Sequence, residues 1–155
     1  MNNIHNAMIK NEFAYDRKAA YIKMKNGLII YDNHTKHWYK DDLLHREEGP
    51  AVEDIAENYR AWYWEGKRHR IGGPAITYNN VDMEWYENGL LHREDGPAIE
   101  YPDVKEWWIK GNQHRLDGPA MEFVDGPKYW YYHGKQINCN SQQEFEKIIK
   151  LRLFW

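Results

Sequence analysis

One cysteine, Cys139, stands among 155 residues, so no internal disulfide can form. No apolar run approaches the roughly 20 residues that a membrane-crossing helix needs. The opening MNNIHNAMIKNEF likewise lacks the apolar stretch of a secretory leader. These absences predict a soluble protein of a reducing, cytoplasmic compartment, away from membranes. Charge of one sign is also scarce. The chain has 21 Lys plus Arg against 24 Asp plus Glu, a net −3, which argues against a nucleic-acid binder with its basic face. A glycine-rich phosphate loop, a serine-centred elbow and a cysteine pair are all missing. We therefore expect neither an enzyme nor a cofactor.

Aromatic residues are what the chain has in excess, with 8 Trp, 12 Tyr and 4 Phe making 15% of it. They fall into a repeat. Trp38, Trp62, Trp85, Trp107 and Trp130 stand 24, 23, 22 and 23 residues apart. The pairs His45-Arg46, His69-Arg70, His92-Arg93 and His114-Arg115 keep step with them, each followed by Gly-Pro-Ala. A glycine recurs four residues after the Trp at Gly66, Gly89, Gly111 and Gly134, whereas the first unit has Asp42 there. Full units thus cover about 38–61, 62–84, 85–106 and 107–129, with half units at both ends acting as caps.

Around each Trp the residues favour strands, and the glycine behind them supplies a tight turn, as in Glu87-Asn88-Gly89. Each unit therefore reads as about two short antiparallel strands. The fold class expected is mainly β: an array of tandem hairpins over 25–137, spanning about Leu28 to Ile137. Ser141-Gln-Gln-Glu144 is a capping box followed by Phe145, Ile148 and Ile149 at helical spacing. It predicts a helix from about Gln142 to Leu153 within a capping segment 138–155, closing the open end of the sheet. Phe13, Ala20, Tyr21 and Met24 share a helical face and place an N-terminal helix over Asn11–Met24, in the segment 1–24.

The units Tyr63-Trp-Glu-Gly66, Tyr86-Glu-Asn-Gly89 and Trp108-Ile-Lys-Gly111 resemble MORN repeats over about Trp38 to Ile137. The likeness implies an elongated antiparallel sheet used for scaffolding, protein binding or lipid contact, and binding rather than catalysis. His-Arg-x-x-Gly-Pro-Ala departs from the MORN pattern and makes the chain similar to repeat proteins of bacteria and phages. That departure weakens the lipid role. An anti-defence role, in which the chain inhibits a host protein, follows from the likeness by association.

Two columns carry the functional expectations. The His-Arg pairs recur about 10 Å apart if each unit adds two strands, too far to converge on one metal ion. Either His bonds backbone and Arg pairs with the acid two positions on (Glu48, Asp95, Asp117), or the column reads a ligand with repeated features. Gly72 breaks that pattern for Arg70. Alternation sends the Trp column to one face and Tyr39, Tyr63, Tyr86, Trp108 and Tyr131 to the other. We expect the Trp column in the core and the second column either buried under loops and helices or exposed as a binding surface. The leading expectation is a module that captures a protein partner; the alternative is a sequestering protein for a nucleotide or other small ligand, held by Trp or Tyr rings and Arg. Oligomers could form through the sheet edges. His34 and His37 form an isolated H-x-x-H without a third ligand, and Cys139 lacks a context for a nucleophile, so neither is taken as a site.

Overall fold

The computed structural model describes residues 26–31 and 34–153. The expected N-terminal helix lies outside them. The rest is a mainly β chain whose first elements are β1 (Gly27–Ile30), β2 (Thr35–Lys40) and β3 (Leu43–Leu44). β4 (Val52–Asp54), β5 (Tyr59–Ala61), β8 (Ile76–Tyr78), β9 (Asp82–Glu84), β12 (Ile99–Glu100), β13 (Val104–Glu106), β16 (Met121–Phe123), β17 (Lys128–Tyr132) and β18 (Lys135–Ile137) extend the sheet. Its order is β1-β2-β4-β5-β8-β9-β12-β13-β16-β17-β18, with β3 paired to β2. Every pairing is antiparallel between neighbours in this meander, so no crossover is needed.

Each full unit is richer than the two strands expected. Beyond the Trp the chain leaves the main sheet and makes a short hairpin before returning: β6–β7 (Tyr63–Trp64 with Lys67–Arg68), β10–β11 (Tyr86–Glu87 with Leu90–Leu91) and β14–β15 (Trp108–Ile109 with Asn112–Gln113). The two central residues of each turn have positive φ, as at Asn88 (51°) and Gly89 (84°) or Glu65 (47°) and Gly66 (75°). That is the turn whose twist matches paired strands. Asp41 (52°) and Asp42 (64°) take the same conformation, so the first unit keeps the turn without its glycine. Successive hairpins also bond to each other, with Gly66 N–H donating to the Leu44 carbonyl at 2.9 Å and Gly111 N–H to that of Leu91 at 2.9 Å. A second row of hairpins therefore runs alongside the main sheet.

The residues buried most completely are small. Ala51, Ala75, Ala98 and Ala120 are each at 0% exposure, and their carbonyls accept from the backbone N–H groups of Trp38, Trp62, Trp85 and Trp107 at 2.8 Å. The expectation that the Trp column forms the core is corrected here: only Trp130 is buried, and the other four are half-buried. A sheet with one layer offers a large ring no second layer to enter. Trp130 differs because α1 (Gln142–Leu153) lies on it, joining Ile137, Cys139, Phe145 and Ile149 in one apolar cluster. The capping residues act as expected, since Glu144 N–H donates to Ser141 Oγ at 3.2 Å, while the Glu144 carboxylate reaches back to Asn140 N–H at 2.9 Å. No described helix is long and apolar enough to cross a membrane.

Candidate binding face

The His-Arg pairs occupy the join between the two rows. Each arginine lies over the Trp ring of its own unit: Arg46 over Trp38, Arg70 over Trp62, Arg93 over Trp85 and Arg115 over Trp107, with 3.8 to 4.0 Å from guanidinium carbon to ring centroid. Each also donates from Nη1 to the proline carbonyl four residues on, at 3.0 to 3.3 Å. Asp95 and Asp117 accept from Nε of Arg93 and Arg115 at 2.9 Å, and that bond holds both carboxyls below their usual range. Arg46 does otherwise. Its ion partner is Glu53 at 3.2 Å rather than Glu48, because the position seven residues on faces the guanidinium across the sheet, as Glu100 and Glu122 do for Arg93 and Arg115. Arg70 has Gly72 and Thr77 at these two positions, and burial pulls its pKa down.

Each histidine bridges to the following unit. Nδ1 of His45, His69, His92 and His114 accepts the backbone N–H of Glu65, Asn88, Lys110 and His133, the first residue of the next turn, at 3.1 to 3.3 Å. The proton of each neutral ring therefore sits on Nε2. Burial, then the neighbouring His133, holds the pKa of His114 below its ordinary value. This geometry is that of repeated internal bonding. Guanidinium and indole are engaged with each other, which leaves no open base-and-phosphate clamp in these four pairs.

Strand register separates the two faces. One carries a ladder of mixed charge, Lys36, Glu53, Arg60, Thr77, Met83, Glu100, Lys105, Glu122 and Lys128, each opposite the next. Opposite charges directly across a sheet stabilise the pairing. The Trp-Arg stacks and α1 are on this face.

The other face is aromatic. Tyr39, Tyr63, Tyr86, Trp108 and Tyr131 lie on it as expected, all half-buried. Alternation adds an outer row, Tyr59, Tyr78, Tyr101 and Phe123, and between the rows a line of Ala61, Ile76, Glu84, Ile99, Glu106 and Met121. Glu84 accepts from the hydroxyls of Tyr86 at 2.8 Å and Tyr101 at 2.5 Å, and Glu106 accepts from Trp108 Nε1 at 2.9 Å and Gln113 Nε2 at 2.8 Å. Arg68 donates to the Tyr86 hydroxyl at 3.2 Å. Burial followed by Glu84 pushes Tyr86 up to about 12 and raises Tyr101 as well. Burial, then Asp103 and Glu84, raises Asp82 on the same face. His37 lies at the far end, with its ring 4.7 Å from Tyr31 and its Nδ1 3.2 Å from the Tyr39 hydroxyl, while His34 sits exposed before β2. Among the described residues no three His, Cys, Asp or Glu side chains are placed to share a metal ion. Burial raises the Cys139 thiol, which lies in the cluster under α1.

The sequence reading missed the outer aromatic row and the two glutamates. Their signal was present: Glu84 and Glu106 each sit two residues before a member of the Tyr-Trp column, and a strand sends i and i+2 to the same face. Fold and face together define a tandem β-hairpin array with one aromatic, acid-bearing surface. No family model, curated protein or solved structure matches the chain.

Proposed function

We propose that the protein is a non-enzymatic binding module that captures a protein partner on its aromatic face. The observation that carries this reading is the double row of half-buried Tyr, Trp and Phe on a face against which no described helix or second sheet is layered. Aromatic side chains bring large area and a polar tip at low conformational cost, which is why they anchor interfaces. The repeat logic supports the same face. Residues found in every unit (Trp, His-Arg, Gly-Pro-Ala) are used up in internal bonds, whereas the residue before the Trp changes along the array from His37 to Ala61, Glu84, Glu106 and Tyr129. Variable positions on a constant frame are where specificity is built. The likeness to MORN repeats agrees with a binding role, and inhibition of the captured protein is the use we assign to it.

The test is a pull-down in which the immobilised chain retains a stoichiometric protein. Trp108→Ala is expected to weaken retention by about tenfold, as loss of an aromatic anchor does, while Lys105→Ala on the charged face leaves it unchanged. Absorbance at 260 nm copurifying with the chain, with no retained protein, would favour a sequestered nucleotide instead.

A further inference from the structure

The charge of the aromatic face is one-sided. Among residues whose facing the strand and hairpin registers fix, it carries Asp54, Asp82, Glu84 and Glu106 against a single arginine, Arg68, although the chain as a whole is nearly neutral. The lysines of the sheet are on the other face, Lys36, Lys105 and Lys128 of them in the mixed ladder. Each of the two central carboxylates accepts from the polar tip of an aromatic side chain: Glu84 from Tyr86 and Tyr101, Glu106 from Trp108 and also from Gln113. A carboxylate that accepts two such bonds keeps its negative charge and further lone pairs, with which it attracts a cation.

The spacing says more. Ile99 is opposite Glu84 on one side and Glu106 on the other, so the two acids stand two strands apart, about 10 Å. A polyproline II chain has three residues per turn and rises about 9 Å over them, and its side chains at i and i+3 project in the same direction. A β-strand does not match, because its residues i and i+3 point to opposite sides. Aromatic rows are also the surfaces on which polyproline II segments dock. We propose that the face around Glu84 and Glu106 binds a basic protein segment in the polyproline II conformation, with Lys or Arg at every third residue. This rests on the aromatic face being the binding face, and it names the occupant.

The probe is a short synthetic peptide with arginine at every third position and proline between, titrated calorimetrically at low salt and followed by Trp fluorescence. Saturable binding is expected, falling steeply as salt is added, with an isosteric peptide bearing glutamate in place of arginine failing to bind. Glu84→Gln with Glu106→Gln should weaken the arginine peptide by about tenfold or more, and a peptide with arginine at every second position should bind less well. Glu48→Gln, an exposed loop carboxylate, should change nothing. Melting curves check that the double variant is folded; if it is not, the salt dependence and the two control peptides on the parent chain still decide. Equal binding of the basic and acidic peptides, or no loss in a folded double variant, would overturn the proposal. If no peptide binds, yet Trp108→Ala still releases a captured protein, the basic occupant falls and the binding face stands. If neither responds, both readings fall.

Discussion

Gly96 faces Arg93 so closely that a Cβ built there would lie 2.9 Å from the guanidinium carbon, and Gly118 stands to Arg115 at 2.8 Å. The glycine of Gly-Pro-Ala is therefore one wall of a slot whose other wall is the Trp ring, and the flat guanidinium fills it. The proline carbonyl closes the end. Arg93→Ala should cost about 2–4 kcal/mol, since it loses the stacking and leaves the Pro97 carbonyl without its donor. Arg93→Lys should recover little, because an ammonium neither stacks flat nor forks. Gly96→Ala should cost a part of that loss with the arginine still present, since the flexible end of Arg93 must shift off its ring, and chemical denaturation of the three variants would reveal it. Equal stability of Gly96→Ala and parent would mean that the slot is loose. Histidine gives the residue scale a pH dependence. The folded pKa of His114 is depressed, so on acidification the unfolded chain takes the proton first. The stability involved is present above the ordinary value of about 6.5 and is lost as pH falls through it. Melting temperature should drop between about pH 7.5 and 5, with a shallower slope in His114→Gln. Identical slopes would remove His114 as the cause.

At the scale of the element, the hairpin turns differ in how well their residues suit them. Each first turn position has positive φ, which Asn tolerates better than Glu or Lys. Asn88-Gly89 is the well-matched pair, while Glu65-Gly66 and Lys110-Gly111 hold side chains that resist this conformation. Glu65→Asn should therefore stabilise the protein by about 0.5–1 kcal/mol, seen as a raised melting temperature. The bond from its backbone N–H to His45 Nδ1 does not depend on the side chain. A fall in melting temperature would show that Trp64 over His45, 4.4 Å between ring centroids, needs the native turn. The turns were legible in the sequence because their chemistry is local: a Gly four residues after every Trp of the column except Trp38, and Asn-Gly once. The helix was equally legible, with Ser141 and Glu144 marking its start. The division of each unit into sheet strands and a side hairpin was not, because the chain bends away at Trp62, Trp85 and Trp107 only through pairings with neighbouring units. Nor was the exposure of those rings, which depends on whether a second layer exists.

Across the whole molecule, an array in which each unit bonds only to its neighbours holds stability as a sum of unit and interface contributions, and its ends are where it opens. The aromatic face illustrates the same point about legibility. Its Tyr and Trp column could be read from alternation, but the outer row is tied in by side-chain bonds between residues 17 and 21 apart, Tyr101 donating to Glu84 and Tyr78 to Glu57. At the C-terminal end the chain provides no further His-Arg pair to cover Trp130, and α1 supplies the cover instead. Gln142 anchors it, accepting from Trp130 Nε1 at 3.0 Å and donating to the Leu116 carbonyl at 2.7 Å. Among the described residues Phe145 is the largest side chain buried almost completely, at 1% exposure, and it holds α1 to Trp130 and Ile137. Phe145→Ala should cost about 3–5 kcal/mol locally, the usual loss for a buried aromatic. In an array that loss stays near its source. Hydrogen exchange should show protection collapsing over β17, β18 and α1, falling partly over β13 and β16, and persisting over β4, β5 and β8. A uniform loss of protection along all of these strands would show instead that the sheet unfolds as one cooperative unit and that the helix stabilises the whole of it.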